Sequence, residues 1–297
     1  MNRSTVIALG FFDGVHLGHA ALLQKTRARA DELGLTAAAM SFDTHPDTLV
    51  FGCAVPLINT AVERERLMQT LFGIDEVILA HFDEAMMHMP WRDFITGYLV
   101  GELHAQHVVC GHDFRFGDRG AGTPEKLREV CAGLGIGCDV IEKVTLDGQT
   151  VSSTYIRQLL QTGEAARAAR FLGHRHLVSG VVVHGAHKGS QIGFPTANVP
   201  FAPGVLVPKR GVYLAEAAAG GSRFPALVNV GVHPTAGALA QPVLEAWLQG
   251  FDGDLYGREI SVELAAFTRP ERPFSSMQAL REQLARDKND LEVFFRK

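Results

Sequence analysis

The rhythm of apolar and polar positions changes near residue 172 of this 297-residue chain. Before that point, short apolar runs alternate with longer segments of helical periodicity. Val6–Leu9, Thr36–Phe42, Glu76–Ala80 and His107–Cys110 read as buried strands, and residues 16–34, 60–71 and 91–101 read as helices. The first helix offers Leu17, Ala20, Ala21, Leu23 and Leu33 for a buried side, while Glu63, Arg64, Glu65 and Arg66 read as a solvated face. Strands alternating with helices predict a parallel sheet covered on both faces. After a helical stretch ending near Leu172, the runs Val178–His184, Gly211–Ala219, Pro225–Val230, Val243–Leu248 and Ile260–Ala266 are separated by Gly, Pro and Asp. That spacing predicts a small antiparallel barrel or sandwich. A last helix starts at Ser275 or Ser276 and runs to about Phe294, with Met277, Leu280, Leu284, Leu291 and Phe294 available for packing. The expected class is therefore α/β followed by β, with domains at 1–172 and 173–297.

Composition narrows the class without naming a function. Hydrophobic content of 46% and charged content of 20% are those of a soluble globular protein. A formal net charge of −4 argues against general nucleic-acid binding, so an anionic ligand needs local basic groups. No secretory signal and no membrane-length apolar run is present. The four cysteines, Cys53, Cys110, Cys131 and Cys138, form no C-x-x-C pair, so free thiols in a reducing cytoplasm are expected.

Chemistry concentrates first at the junction of strand and helix between Gly10 and His19 (GFFDGVHLGH). A strand, a glycine turn and a helix N-terminus leave backbone N–H groups facing an anion. His16 and His19, three apart, share one side of the first turn, and Gly18 between them leaves the backbone open to a phosphate. Two imidazoles beside such amides suit the anionic transition state of attack on a nucleoside triphosphate α-phosphate. The same pair also suits a metal, but no third His or Cys completes a recognisable spacing. Asp43-Thr44-His45-Pro46 and Gly111–Gly117 (GHDFRFG) also follow strands, and in parallel sheets ligands sit beyond the strands' carboxyl ends. Asp113, Phe114, Arg115 and Phe116 suit a flat heterocycle, although alternating Phe114 and Phe116 also read as core. In VSSTYIRQLL, Ser152, Ser153 or Thr154 caps a helix with Arg157 one turn inside, which is either a phosphate grip or a plain cap.

The second half carries a separate set. Gly185, Gly189 and Gly193 precede Phe194-Pro195 and permit close backbone approach to phosphates. Thr196 and Asn198 offer hard oxygen ligands for Mg2+, or alternatively a Pro-Thr turn with a locally satisfied Asn. Leu244, Ala246 and Leu248 alternate onto one strand face and put Glu245 on the other beside Trp247, where a carboxylate is either simply exposed or able to accept a hydroxyl proton.

These motifs together resemble the prokaryotic bifunctional riboflavin kinase/FAD synthetases over nearly the whole chain. Gly10–His19 is similar to the family's G-x-F-D-G-V-H-x-G-H, with Phe11 where Asn is frequent, and Ser152–Arg157 to S-S-T-x-I-R. His45 falls in an F-x-x-H-P segment near the family's flavin site, and Gly111–Gly117 resembles G-x-D-F-x-F-G. Gly193–Asn198 is an intact G-F-P-T-A-N, while Ser190 stands where a basic residue is usual and Lys188 lies nearby. Val243–Gly257 resembles E-x-H-L-x-D-F-x-x-D-L-Y-G with Trp247 and Gly250 in place of His and Asp, and Asn229–Thr235 resembles N-x-G-x-R-P-T with His233 for Arg. The resemblance implies a Rossmann-like nucleotidyltransferase domain followed by a riboflavin-kinase barrel. It implies His16, His19, Arg157 and Glu245 as catalytic groups. Gly10, Phe11, Gly18, Ser152, Ser153, Thr154, Gly185, Gly189, Gly193 and Pro195 would lie along ATP. His45, Asp113, Phe116 and Asn229 would hold flavin, and Thr196 and Asn198 would hold Mg2+. The implied substrates are riboflavin, FMN and ATP, and the products FMN and FAD. Three alternatives stand beside this: an adenylyltransferase for another phosphorylated precursor, such as phosphopantetheine or nicotinamide mononucleotide; retention of one activity, with the kinase as the one lost; or a flavin-binding regulator without catalysis.

Overall fold

The computed structural model describes residues 4–52, 54–185, 194–233 and 241–296. The chain divides into two compact units, Met1–Ser153 and Thr154–Lys297. In the first, β1 (Thr5–Leu9), β2 (Thr36–Phe42), β3 (Glu76–Ala80), β4 (Ala105–Gly111) and β5 (Gly137–Ile141) form one sheet in the order β3-β2-β1-β4-β5. Every neighbouring pair is parallel. β1 is buried along its whole length because the sheet is covered on both sides. Ile7 and Leu9 pack with Phe94, Ile95, Leu99 and Leu127 on one face, and α1 (Leu17–Leu33) lies against β1, β2 and β4. The strand order reverses between β1 and β4, which is where open parallel sheets bind ligands.

Local signals explain most boundaries. His16 is the N-cap of α1, and Gly34 closes it with φ 67°, a left-handed position that glycine adopts without a Cβ clash. After the short α2 (Pro46–Phe51), Thr60 and Glu63 exchange side-chain and backbone hydrogen bonds in a capping box at the start of α3 (Ala61–Phe72). The pattern located β2 and β3 residue for residue. Several expectations are corrected. Leu33 is half exposed, and the buried side of α1 is Ala20, Leu22, Leu23, Thr26 and Ala30. Glu63 and Arg64 are buried rather than solvated. The expected helix from residue 91 is a short α-turn, Trp91–Asp93, followed by a π-helix, Phe94–Glu102, where Gly97 and Gly101 weaken the preference for α-geometry. The helix Pro124–Leu134 and strand β5 were not foreseen. Cys110, Cys131 and Cys138 carry free thiols, and Cys53 lies outside the described residues.

The second unit begins with two helices, one continuing from Ser153 to Thr162 and one at Ala165–Leu172, broken at Gly163 with φ 86°. Among the described residues six antiparallel strands follow: β6 (His176–Val181), β7 (Ala197–Pro200), β8 (Gly211–Ala219), β9 (Ser222–His233), β10 (Gln241–Leu248) and β11 (Glu259–Arg269). Their order is β6-β11-β8-β9-β10-β7. Just beyond β6, the Val183 N–H donates to the Asn198 carbonyl of β7 at 2.9 Å, so the sheet nearly closes into a barrel. Inward residues alternate along each strand: Tyr213, Ala215 and Ala217; Ala226, Val228 and Val230; Leu244, Ala246 and Leu248. Outside, Leu291 of the C-terminal helix (Met277–Phe295) packs on Leu214 and Leu227 beside Trp247 and Phe295. Ser276 caps that helix by accepting from Ala279 N. Met277 and Phe294, expected to pack, are exposed.

Arg269 at the end of β11 holds this helix through Asp287, with Nη2 to Oδ2 at 2.7 Å. The Asp287 side chain is 3% exposed and its partner 18%, so removing the carboxylate strands a partly desolvated guanidinium. Asp287→Ala is expected to cost about 3 kcal/mol of stability, read as a lower urea midpoint at unchanged slope.

Candidate active sites

In the first unit, the chain leaves β1 through a loop whose backbone is unusually constrained. Phe12 (φ 59°), Gly14 (φ 81°) and Val15 (φ 42°) all sit at positive φ, and for a β-branched residue such as Val15 this is an outlier. The Asp13 carboxylate, 2% exposed, accepts from the backbone N–H of Ile58 at 2.8 Å and of Asn59 at 3.3 Å. Ser153 Oγ donates to the Asp13 carbonyl at 2.9 Å, so this serine secures the loop. Ser152 stands one residue before the helix that begins at Ser153, and Thr154 and Arg157 lie within that helix, in the second unit.

The loop delivers His16 and His19 as a stacked pair, ring centroids 3.6 Å apart and planes 12° from parallel. His16 Nδ1 accepts from His19 N at 3.3 Å, capping the helix and leaving the neutral ring's proton on Nε2. The His16 ring lies over Gly18, where a Cβ would come within 3.0 Å of its Cε1. A side chain there would press the imidazole back by a few tenths of an ångström, a reason for glycine additional to backbone access. Gly10 is similarly covered, by the Phe12 ring. Burial holds the His19 pKa well below the usual imidazole range, reinforced by the neighbouring His16 ring and Arg64.

His45 caps the helix Pro46–Phe51 by accepting from Asp47 N at 3.2 Å. Its ring lies 4.5 Å from that of Phe11, so the loops after β1 and β2 do meet. On the other side of Phe11 the Arg64 guanidinium sits 4.2 Å from the ring centroid. Arg64 is fully buried; its Nη1 donates to the Phe11 carbonyl at 2.5 Å and to Ser41 Oγ at 2.7 Å, and its Nη2 to the Phe42 carbonyl at 2.9 Å. Sequence reading missed this residue, which one apolar-facing turn of helix hides in a charged run. Asp43 at the same edge binds His81 Nδ1 at 2.6 Å; burial pushes its pKa up, but hydrogen bonds from His81 and Phe82 N outweigh this and hold it below the usual range. On the loop after β4, Asp113 is exposed, whereas Phe116 is core, against Phe94 and over Gly122.

In the second unit, Asn198 of β7 pairs across the strands with Glu245 of β10, and Glu245 with Asn229 of β9. This rung lies on the outer face, since its neighbours along each strand line the core. Asn198 is buried, and a Cβ on Gly185 would fall 2.5 Å from its Nδ2, so glycine is required for the amide to sit there. Asn198 Nδ2 donates to the Thr196 carbonyl at 3.4 Å. Pro195 is exposed, and Phe194 meets Trp247 at 5.0 Å, which places Trp247 within the apolar layer beneath the last helix. Gly250 has φ 79°, a turn position suited to glycine. Glu271, also missed from sequence, accepts from Asn229 Nδ2 at 2.9 Å. Lys188, Gly189, Ser190, Gly193 and Thr235 lie outside the described residues, as does the side chain of His233. The side-chain oxygens of Thr196 and Asn198 are hard donors of the kind that would suit Mg2+. Among the described residues no His/Cys/Asp/Glu cluster offers a softer metal site.

The buried His19 makes stability depend on pH. Its folded pKa lies below the unfolded value of about 6.5, so below that pH the unfolded chain binds the extra proton and stability falls. From pH 7.5 to 5.5 the wild type is expected to lose more unfolding free energy than His19→Gln, by about 1 kcal/mol, measured by urea titration at each pH.

Comparison with known proteins agrees with this division. A family model described as FAD synthetase matches residues 1–155, and one described as riboflavin kinase matches residues 172–295. The bifunctional riboflavin kinase/FMN adenylyltransferase of Bacillus subtilis is 35% identical, with 98% of this chain and 92% of that protein covered. The protein of the same name from Escherichia coli K12 is 36% identical over the same shares. A solved structure named as a macrolide-efflux protein from Streptococcus pneumoniae superposes with a TM-score of 0.84 at 26% identity, covering 97% of this chain and 94% of that one. Among the described residues no helix is long and apolar enough to cross a membrane. Two family models in sequence, each on its own compact unit, together with relatives matched along nearly their full length, place this chain in the bifunctional riboflavin kinase/FMN adenylyltransferase family.

Proposed function

We propose that this chain makes FMN from riboflavin and then FAD from FMN, consuming ATP in each step, with residues 1–172 as adenylyltransferase and 173–297 as kinase. The observation that supports this most directly is that each half carries its own chemically sufficient set. The first has a stacked histidine pair at a helix cap, and the second a carboxylate between two amides on an open barrel face.

In the kinase half, Glu245 accepts the proton of the riboflavin 5′-hydroxyl as its oxygen attacks the γ-phosphorus of ATP, and ADP leaves. Asn229, held by Glu271, orients the flavin beside it. Thr196 and Asn198 would hold Mg2+, which neutralises phosphate charge when bound. Gly185, Gly189, Gly193 and Pro195 let the phosphates approach the backbone.

In the adenylyltransferase half, an FMN phosphate oxygen forms a bond to the α-phosphorus of ATP, the bond to the bridging oxygen breaks, and pyrophosphate departs. His16 donates from Nε2 to the charge that develops, because its Nδ1 is occupied by the cap. His19, kept neutral at physiological pH, donates without adding a second buried charge. Gly10, Phe11, Gly18, Ser152 and Ser153 line the nucleotide. Asp113 and His45 position the flavin, with Phe116 packing beneath. The substrates are free cofactors and the net charge is negative, so neither nucleic acid nor membrane is a partner; the free thiols suit a reducing cytoplasm.

The two halves are expected to separate cleanly by mutation. His16→Ala should slow FAD formation from FMN by about 10²–10³-fold while FMN still forms from riboflavin. Glu245→Gln should slow FMN formation by about 10²–10⁴-fold and spare FAD formation from added FMN. Chromatography of reactions containing riboflavin or FMN, ATP and Mg2+ reads both, and a variant that slows both steps alike would contradict the assignment.

A further inference from the structure

Arg64 is a full positive charge in the interior of the first unit, with 0% of its surface exposed. Burying a guanidinium is costly unless a carboxylate or a set of hydrogen bonds compensates it. Its compensation here is carbonyl and hydroxyl oxygen only: Phe11 O, Ser41 Oγ and Phe42 O. Its Nε is buried without a hydrogen-bond partner, and among the described residues no carboxylate pairs with it. Asp13 and Asp43, whose fields reach it, are committed elsewhere, the first to the Ile58 and Asn59 amides and the second to His81.

The acceptors themselves are informative. Phe11 lies just past the end of β1, and Phe42 is the last residue of β2. Carbonyls at the carboxyl ends of parallel strands turn their negative ends toward the edge where a triphosphate would have to sit. A cation placed behind them cancels that repulsion, and its field extends to the histidine pair, where it adds, after burial and His16, to the lowering of the His19 pKa. Stacking on Phe11, itself against His45, locks the guanidinium in place.

We propose that Arg64 is a positioning residue for the adenylyltransferase reaction: a buried counter-charge that orders the ends of β1 and β2 and is fully compensated only when an oligophosphate occupies the site. This rests on the reading of the first unit as the ATP-cleaving half. Since Arg64 is enclosed, it acts through the Phe11 and Phe42 carbonyls and through its field, and touches no substrate.

The test compares Arg64→Lys, which keeps the charge, with Arg64→Gln, which keeps hydrogen-bonding capacity without it, in the full-length protein. The probes are ATP turnover with FMN and thermal stabilisation by inorganic pyrophosphate. Arg64→Gln is expected to raise KM for ATP and weaken pyrophosphate binding on the order of tenfold, the scale of one unit charge acting through protein. Arg64→Lys should stay within about threefold of wild type on the same scale. FMN formation from riboflavin should be unchanged in both, reporting an intact chain. Equal effects of Lys and Gln, no effect of Gln, or failure of the Lys variant to keep a folded first unit would each overturn the proposal. Absence of FAD synthesis by the wild type would instead remove the underlying reading of the site.

Discussion

The Asp13 carboxylate is the interaction on which the loop after β1 depends. A loop with Phe12 and Val15 in the left-handed region carries a cost of about 1–3 kcal/mol for each such residue. It persists because the surrounding structure over-determines it. Two backbone amides from residues 58–59 converge on the carboxylate, and a serine 140 positions away holds the carbonyl of the same residue. The consequences reach in both directions. On one side the strained loop aims His16 into its capping position and so stacks the imidazoles. On the other, the clamped segment leads directly into α3, one turn before Arg64, so one carboxylate fixes the histidines and the cation at the strand ends.

The second unit solves the same problem with a different device. A barrel of six strands needs one face of each strand for its core, and the alternate face is free to carry polar groups. Asn198, Glu245 and Asn229 occupy that free face on neighbouring strands, while Ala197, Val199, Leu244, Ala246, Val228 and Val230 fill the interior. The last helix covers the next part of the same outer face, pinned by Asp287 and Leu291. The Glu245 carboxylate is thus carried on a rigid strand without being buried in hydrocarbon.

How much of this the chain announces depends on whether a residue's role is local. Caps and strands are local: His16, Thr60, Ser276, β2 and β3 lie where pattern and turn chemistry put them. The alternation of β10 alone placed Glu245 outward. Arg64 sits in the run Glu63-Arg64-Glu65-Arg66, which by periodicity belongs in water; only the strand ends against which α3 packs turn half of that run inward. Glu271 lies in an irregular segment after β11, and its meeting with Asn229 is purely tertiary. β5 was missed because an edge strand half exposed along its length has no strong apolar signal. Phe114 and Phe116 show the opposite difficulty: the alternation that suits a ligand platform suits a core equally, and the structure puts Phe116 in the core.

The outer-face rung of the barrel also bears on how such a protein can change over time. A side-chain period of two means that inserting or deleting one residue in β10 would turn Glu245 into the apolar interior and expel Leu244 and Ala246. Length variation that is harmless in the turns would therefore disrupt the core and the polar rung together inside this strand. Descendants of this barrel are free to lengthen at its corners, but they inherit the spacing between carboxylate and amides as an indivisible unit.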